Sequence, residues 1–278
     1  VLLAVAPRHL GDGVMALPAM MALAALGPLR IDGPRWAADV YRDVPQAEVP
    51  APAVAVLFPP SLRAAWAARR IPRRVGTPTD LRGWLLTDRV EPGVHTRDTY
   101  TALAAAVGAV AHGGPVWRRR PTDPLPEVRA DHVGLNPLSA SGAVRQWPHF
   151  RALADAIRGP VVFYAGPGEE AAVARIAGSH PVRAGLPLPA FAGALASCRL
   201  FVSVDTGAAH FAAATGTKVV VVYGSTAPGS TGPWGAAAAR GEALPCAPCY
   251  RRACALDRPR CFERPGLLDE LVALAEAA

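Results

Sequence analysis

Residues 200–226 read LFVSVDTGAAHFAAATGTKVVVVYGST. Two apolar, β-branched runs, Leu200 to Val204 and Val219 to Tyr223, flank an Ala-rich segment. Such runs fit strands buried on both faces, and the segment between them fits a crossover helix, so the stretch predicts a strand–helix–strand unit of a parallel sheet. Its first turn nevertheless carries Asp205, Thr206, Gly207 and His210. In an open parallel sheet, ligands bind beyond the carboxyl ends of the strands, where helix N-termini offer unpaired N–H groups and the positive end of a dipole. Gly207 permits close approach of a phosphate and Thr206 supplies a hydroxyl. Asp205 would repel a diphosphate, so it either caps the helix or accepts hydrogen bonds from sugar hydroxyls beside the phosphate. His210 lies in the first helical turn, where the dipole disfavours its cation and favours a neutral, hydrogen-bonding imidazole.

The same alternation of elements extends in both directions. Towards the N-terminus, strand-like runs at 132–136 and 161–165 alternate with helix-like ones at about 149–157, 169–177 and 190–197. The first half repeats the theme with strands at 2–6 and 54–58 and helices near 14–26, 62–69 and 98–107. Between the halves, 113–131 is rich in Pro and Gly without periodicity, which marks a linker. The expectation is an α/β chain of two Rossmann-like domains facing a central cleft, residues 1–122 and 123–278.

The chain has 278 residues, of which 51% are hydrophobic and 18% charged, enough for two ordinary cores. No apolar run reaches the roughly 20 residues needed to span a bilayer. VLLAVA at the start lacks the basic flank and small-residue cleavage site of a signal peptide. No Met begins the sequence, so a few preceding residues are expected. A cytoplasmic protein follows, with at most peripheral contact at the inner face of the membrane. The net charge of +7 comes from arginine, since Lys218 is the only lysine. RRIPRR at 69–74 and RRR at 118–120 form either a solvated face or a surface for an anionic partner. Nucleic acid is not expected, because no aromatic-and-basic interleaving or recognised motif accompanies these arginines. Lys218 itself precedes a strand and so lies at the sheet edge opposite the ligand.

Asp12, between Gly11 and Gly13 after the first strand, reads either as a helix cap or as a general base. Cys246, Cys249, Cys254 and Cys261 have a spacing that on its own favours a structural zinc over disulfides, while Cys198 precedes a buried strand and reads as core.

Five segments occur in the order and spacing of one family: HLGDGVMALPAMMAL, GLNPLSASGAVRQWPHFRALADAI, FYAGPGEE, SVDTGAAHFAAATG and VVVVYGSTAPGSTGPWG. Together they resemble the bacterial heptosyltransferases, glycosyltransferase family 9, over nearly the whole chain. The resemblance implies the two-domain GT-B architecture, ADP-heptose as donor, and transfer with inversion to a saccharide or lipid-linked saccharide, the usual acceptor being the lipopolysaccharide inner core. It makes the N-terminal domain the acceptor half and the C-terminal domain the nucleotide-sugar half. By position it assigns Asp12 as the base, and Asp205, Thr206, Gly207 and His210 as donor-sugar and diphosphate contacts. Arg145 stands where the family commonly has a lysine on the diphosphate, and its fork can bind two phosphate oxygens. Ser139 and Ser141 match hydroxyl residues on the phosphates, Glu169 or its neighbour Glu170 matches a ribose-binding glutamate, and Leu186 matches an adenine contact. No Asp-x-Asp pair stands where a divalent ion would bridge the diphosphate, so no catalytic cofactor is expected. Members often carry a similar cysteine-rich tail. A small-molecule acceptor, and a binding protein that has lost catalysis, are the alternative readings.

Overall fold

A computed structural model describes residues 1–125, 127, 131–140, 142–256 and 258–278. The chain divides into two units, Val1–Val116 and Trp117–Ala278, and the division falls within the Pro- and Gly-rich segment.

The first unit runs β1 (Leu2–Val5), α1 (Leu10–Met15), α2 (Leu17–Ala25), β2 (Leu29–Asp32), α3 (Ala37–Val40), β3 (Val54–Leu57), α4 (Leu62–Ala67), β4 (Arg73–Gly76), β5 (Asp88–Arg89) and α5 (Thr96–Ala105). Its five strands are parallel in the order β2-β1-β3-β4-β5. Leu3, Ala55 and Leu57 pack with Ala65, Ala68, Leu85 and Leu86 on one side of this sheet. The helix expected from about residue 14 begins earlier, at Leu10, and breaks at Ala16. Pro18 is the cause: it has no N–H to donate to Val14, and its ring would press on that carbonyl.

The second unit runs β6 (His132–Asn136), α6 (Phe150–Ala156), β7 (Val161–Ala165), α7 (Glu170–Ala177), β8 (Val182–Ala184), α8 (Leu188–Leu195), β9 (Cys198–Val204), α9 (Gly207–Ala214), β10 (Val219–Tyr223), α10 (Pro228–Thr231), β11 (Ala237–Arg240) and α11 (Leu267–Glu276). The six parallel strands are ordered β11-β10-β9-β6-β7-β8. All five residues of β6, β7 and β10 are buried, which is why β7 and β10 are apolar runs, while β6 begins and ends on buried polar residues, His132 and Asn136. Trp117 anchors the start of the unit, donating its backbone N–H to Ala214 at 2.8 Å and packing edge-on against Phe211.

The strands β2, β4, β5, β8 and β11 are additions to the sequence reading. They lie outside the central positions of their sheets and carry Arg or Asp at partly or fully exposed positions, so no apolar run announces them.

Candidate functional site

Strand order locates one binding edge in each unit. In the second sheet the order reverses at β6, whose neighbours are β7 on one side and β9 on the other, so the crevice opens beyond the carboxyl ends of β6 and β9. In the first sheet the reversal lies at β1 and β3.

At the β9 end, Thr206 is the extended residue that starts α9, and its Oγ accepts from the Ala208 N–H at 3.3 Å. Thr206 therefore caps the helix, and the alternative that Asp205 does so is set aside. Asp205 is 5% exposed. Its Oδ2 accepts a hydrogen bond from the Thr231 hydroxyl at 3.0 Å and lies 3.7 Å from an Arg145 guanidinium nitrogen. The Asp205 charge adds to burial in pushing the Tyr223 hydroxyl far above its ordinary pKa. His210 is buried one turn into α9, its backbone N–H on the Thr206 carbonyl.

Across the crevice, the loop after β6 carries Ser139, which is buried, and a 3-10 turn at Ala143–Arg145. Ser141 lies outside the described residues. The Arg145 Nε is buried and has no hydrogen-bond partner among the described residues, although its other end faces Asp205. A buried guanidinium N–H without an acceptor is costly, and a phosphate oxygen is the acceptor it suits best. After β7, the Glu169 carboxylate folds back onto its own loop and accepts from the Gly166 N–H at 2.9 Å, whereas Glu170 is exposed in the first turn of α7. Leu186 is half-buried between β8 and α8. Every described donor-side candidate thus follows the carboxyl end of a parallel strand of one sheet.

In the first unit, Asp12 sits inside the first turn of α1, not in a turn before it, and the residue at the cap position is His9. A Cβ at Gly13 would lie 2.1 Å from the Trp36 ring, which would have to shift to admit it. The Tyr41 hydroxyl donates to the Gly13 carbonyl at 2.9 Å. Burial first, and then the Asp12 charge, push the Tyr41 and Tyr100 hydroxyls far up. Asp12 is therefore flanked by two phenols that stay neutral.

Two features escaped the sequence reading. Thr231 belongs to a quoted motif, GSTGPWG, but nothing local marks it as the partner of Asp205. Arg82 is fully buried at the ends of β3 and β4, donating to the Thr77 carbonyl at 2.8 Å, to the Thr77 hydroxyl at 3.0 Å and to the Pro59 carbonyl. Burial lowers its pKa, with Asp80 opposing.

The four clustered cysteines line one small cavity with Val144 and Ser225. The Ser225 carbonyl accepts from the Cys249 and Tyr250 N–H groups at 3.0 Å each. Burial, followed by the neighbouring Cys249 and Cys254, pushes the Cys261 thiol up to about 11. Among the described residues, no three His, Cys, Asp or Glu side chains are gathered closely enough to hold a metal ion. The tail thus lies against Val144, the residue preceding Arg145.

Two parallel-sheet α/β units, one of them with its Asp-Thr-Gly turn and arginine at the strand-order reversal, form the GT-B architecture. The chain belongs to glycosyltransferase family 9 (heptosyltransferase), whose model matches residues 54–259. It is 41% identical over 70 residues to lipopolysaccharide heptosyltransferase 1 of Pseudomonas aeruginosa, a match spanning 25% of this chain and only 20% of that protein's length. Its fold is similar to E. coli ADP-heptose LPS heptosyltransferase II, with a TM-score of 0.73 and 20% identity, covering 100% of this chain and 99% of the other. It is similar also to E. coli heptosyltransferase WaaC with ADP, with a TM-score of 0.70 and 18% identity over 99% of each chain. Among the described residues no helix is long and apolar enough to cross a membrane.

Proposed function

We propose that the protein transfers heptose from ADP-heptose to a hydroxyl of a saccharide acceptor of the lipopolysaccharide inner core, with inversion at the anomeric carbon. The observation that carries this reading is the pairing of half-buried Arg145 with buried Asp205 at the strand-order reversal, with the buried Arg145 Nε left to an incoming acceptor atom. The second unit is the nucleotide-sugar half, and the first, with Asp12, is the acceptor half.

A sugar hydroxyl is a weak nucleophile at neutral pH. Asp12 takes its proton as the oxygen bonds to the anomeric carbon from the face opposite the diphosphate. The bond from that carbon to the phosphate oxygen breaks, and ADP leaves with the electron pair. Arg145 and the N–H groups at the start of α9 stabilise the charge that develops on the leaving oxygen. Asp205, held by Thr231, accepts hydrogen bonds from the sugar. Ser139, Ser141, Thr206, Gly207 and His210 complete the diphosphate and sugar contacts, while Glu169 and Leu186 serve ribose and adenine. The carboxylate of Glu169 must leave the Gly166 N–H to reach a ribose, whereas Glu170 is already exposed.

Calorimetry with ADP, GDP and UDP tests the donor. ADP is expected to bind most tightly, and Arg145→Ala to weaken it about 10- to 100-fold, the range for losing a charge-assisted contact. Arg145→Lys, which keeps the charge, is expected to recover part of the loss. UDP or GDP binding as tightly as ADP would end the ADP-heptose reading. The cysteine tail is proposed as a reduced buttress for the Arg145 loop. Elemental analysis of protein purified without added metal is expected to show less than one zinc per chain. Stoichiometric zinc whose removal unfolds the tail would make the cluster a structural metal site instead.

A further inference from the structure

The first unit carries an exposed apolar surface that the transfer reaction does not use. Leu62 and Trp66 are one helical turn apart on α4 and are 42% and 51% exposed. The loop between β4 and β5 brings Leu81 and Trp84, 89% and 66% exposed, to the same place. The Asp80 carboxylate accepts from the Leu62 N–H at 3.0 Å, and the rings of Trp66 and Trp84 meet edge to face with centroids 6.4 Å apart. Leu81 is presented by a strained turn: Asp80 and Leu81 both have left-handed backbones, with φ of 56° and 54°. Side chains of this size rarely adopt that conformation without another constraint. Here the strain holds a leucine out in water, where it gains nothing by burial.

The charge around these side chains is mostly positive, with Asp80 as the acid bound within the patch. Residues 59–79 contain no Asp or Glu. Arg63, Arg69 and Arg70 are exposed, and none has an acidic partner among the described residues. Arg69 lies over the Trp66 ring at 4.7 Å, which keeps its guanidinium at the level of the indole. Asp80 and Asp88, the acids that follow, are occupied by the Leu62 N–H and by Arg73.

We propose that this surface docks the protein on an anionic lipid bilayer. Tryptophan sits at headgroup level, leucine enters the acyl boundary, and unpaired arginines meet lipid phosphates; all three are needed at an interface and all three are here. Exposed leucines beside the tryptophans favour lipid over a nucleic acid, which offers no apolar volume for them. The inference stands on the first unit alone and does not depend on the donor chemistry.

The test uses the full chain and vesicles without any sugar nucleotide, so it succeeds or fails independently of the transferase reading. Co-sedimentation with phosphatidylglycerol-containing vesicles is expected to exceed that with pure phosphatidylcholine and to fall with salt. Reversing Arg63, Arg69 and Arg70 to Glu is expected to lower the partition at least about 100-fold, from about fivefold for each cation lost. Trp66→Ser with Trp84→Ser is expected to lower it at least about tenfold. The arginine variants alter only exposed side chains, so they remain informative if the tryptophan pair disturbs folding. Equal binding to both vesicles, no binding, or binding unchanged in the variants would overturn the proposal. So would light scattering that shows a dimer which the tryptophan changes dissolve, since the surface would then belong to a second copy.

Discussion

Replacing Asp12 by Asn separates a structural from a chemical role more cleanly than any other change. Asp12 is in the first turn of α1, where a carboxylate gains from the helix dipole by about 0.3–1 kcal/mol. Asn keeps the size and loses only that term. A chain of this size loses roughly 2–4 °C of Tm per kcal/mol, so the variant is expected to melt within about 4 °C of the parent. ADP affinity should be unchanged, because every residue proposed for the donor belongs to the other unit. Transfer, by contrast, is expected to slow by about 100- to 10,000-fold, the usual cost of removing a general base. The assay is steady-state transfer from ADP-heptose, with calorimetry and thermal melting on the same preparation. Near-normal turnover in a variant that melts and binds normally would refute Asp12 as the base.

Gly241→Ala should detach the cysteine tail, because its Cβ would lie 1.8 Å from the Cys261 carbonyl oxygen, a backbone atom that cannot swing away. A cost of about 1–3 kcal/mol is expected, read as a lower Tm and as faster alkylation of Cys261. Burial pushes the Cys198 thiol from 9.0 up to about 12, so between those values the folded chain keeps a proton that the unfolded chain has released. Stability is therefore expected to fall as pH rises through that window, and Cys198→Ala to soften the fall, measured by urea denaturation at stepped alkaline pH. Near neutral pH, exposed Cys246 should react with a maleimide well before Cys198, whose thiolate is disfavoured.

What the residues alone determined was the centre of each sheet and the turn that opens α9. Strands β7 and β10, and most of β9, are buried on both faces, so burial demands largely apolar runs, and such runs are visible without coordinates. The Asp205–His210 turn was legible as a polar turn between strand and helix because its residues are neighbours along the chain, although the cap is Thr206 and not Asp205. The edge strands were not, since β2 and β8 are only partly buried and β11 is mostly exposed, and periodicity weakens where one face meets water. The partners of each charge were also beyond reach. Thr231 on Asp205, Arg145 across from it, and four cysteines around a cavity beside Val144 join loops that follow different strands. Local pattern reports what lies above and below a residue on its own element. Strand order and register decide which loops meet at the sheet edge, and therefore which polar atoms can satisfy one another there. The same holds for Arg82: one arginine among many in the sequence, it is buried because the ends of β3 and β4 bring carbonyls to it, and only the assembled sheet puts them within reach.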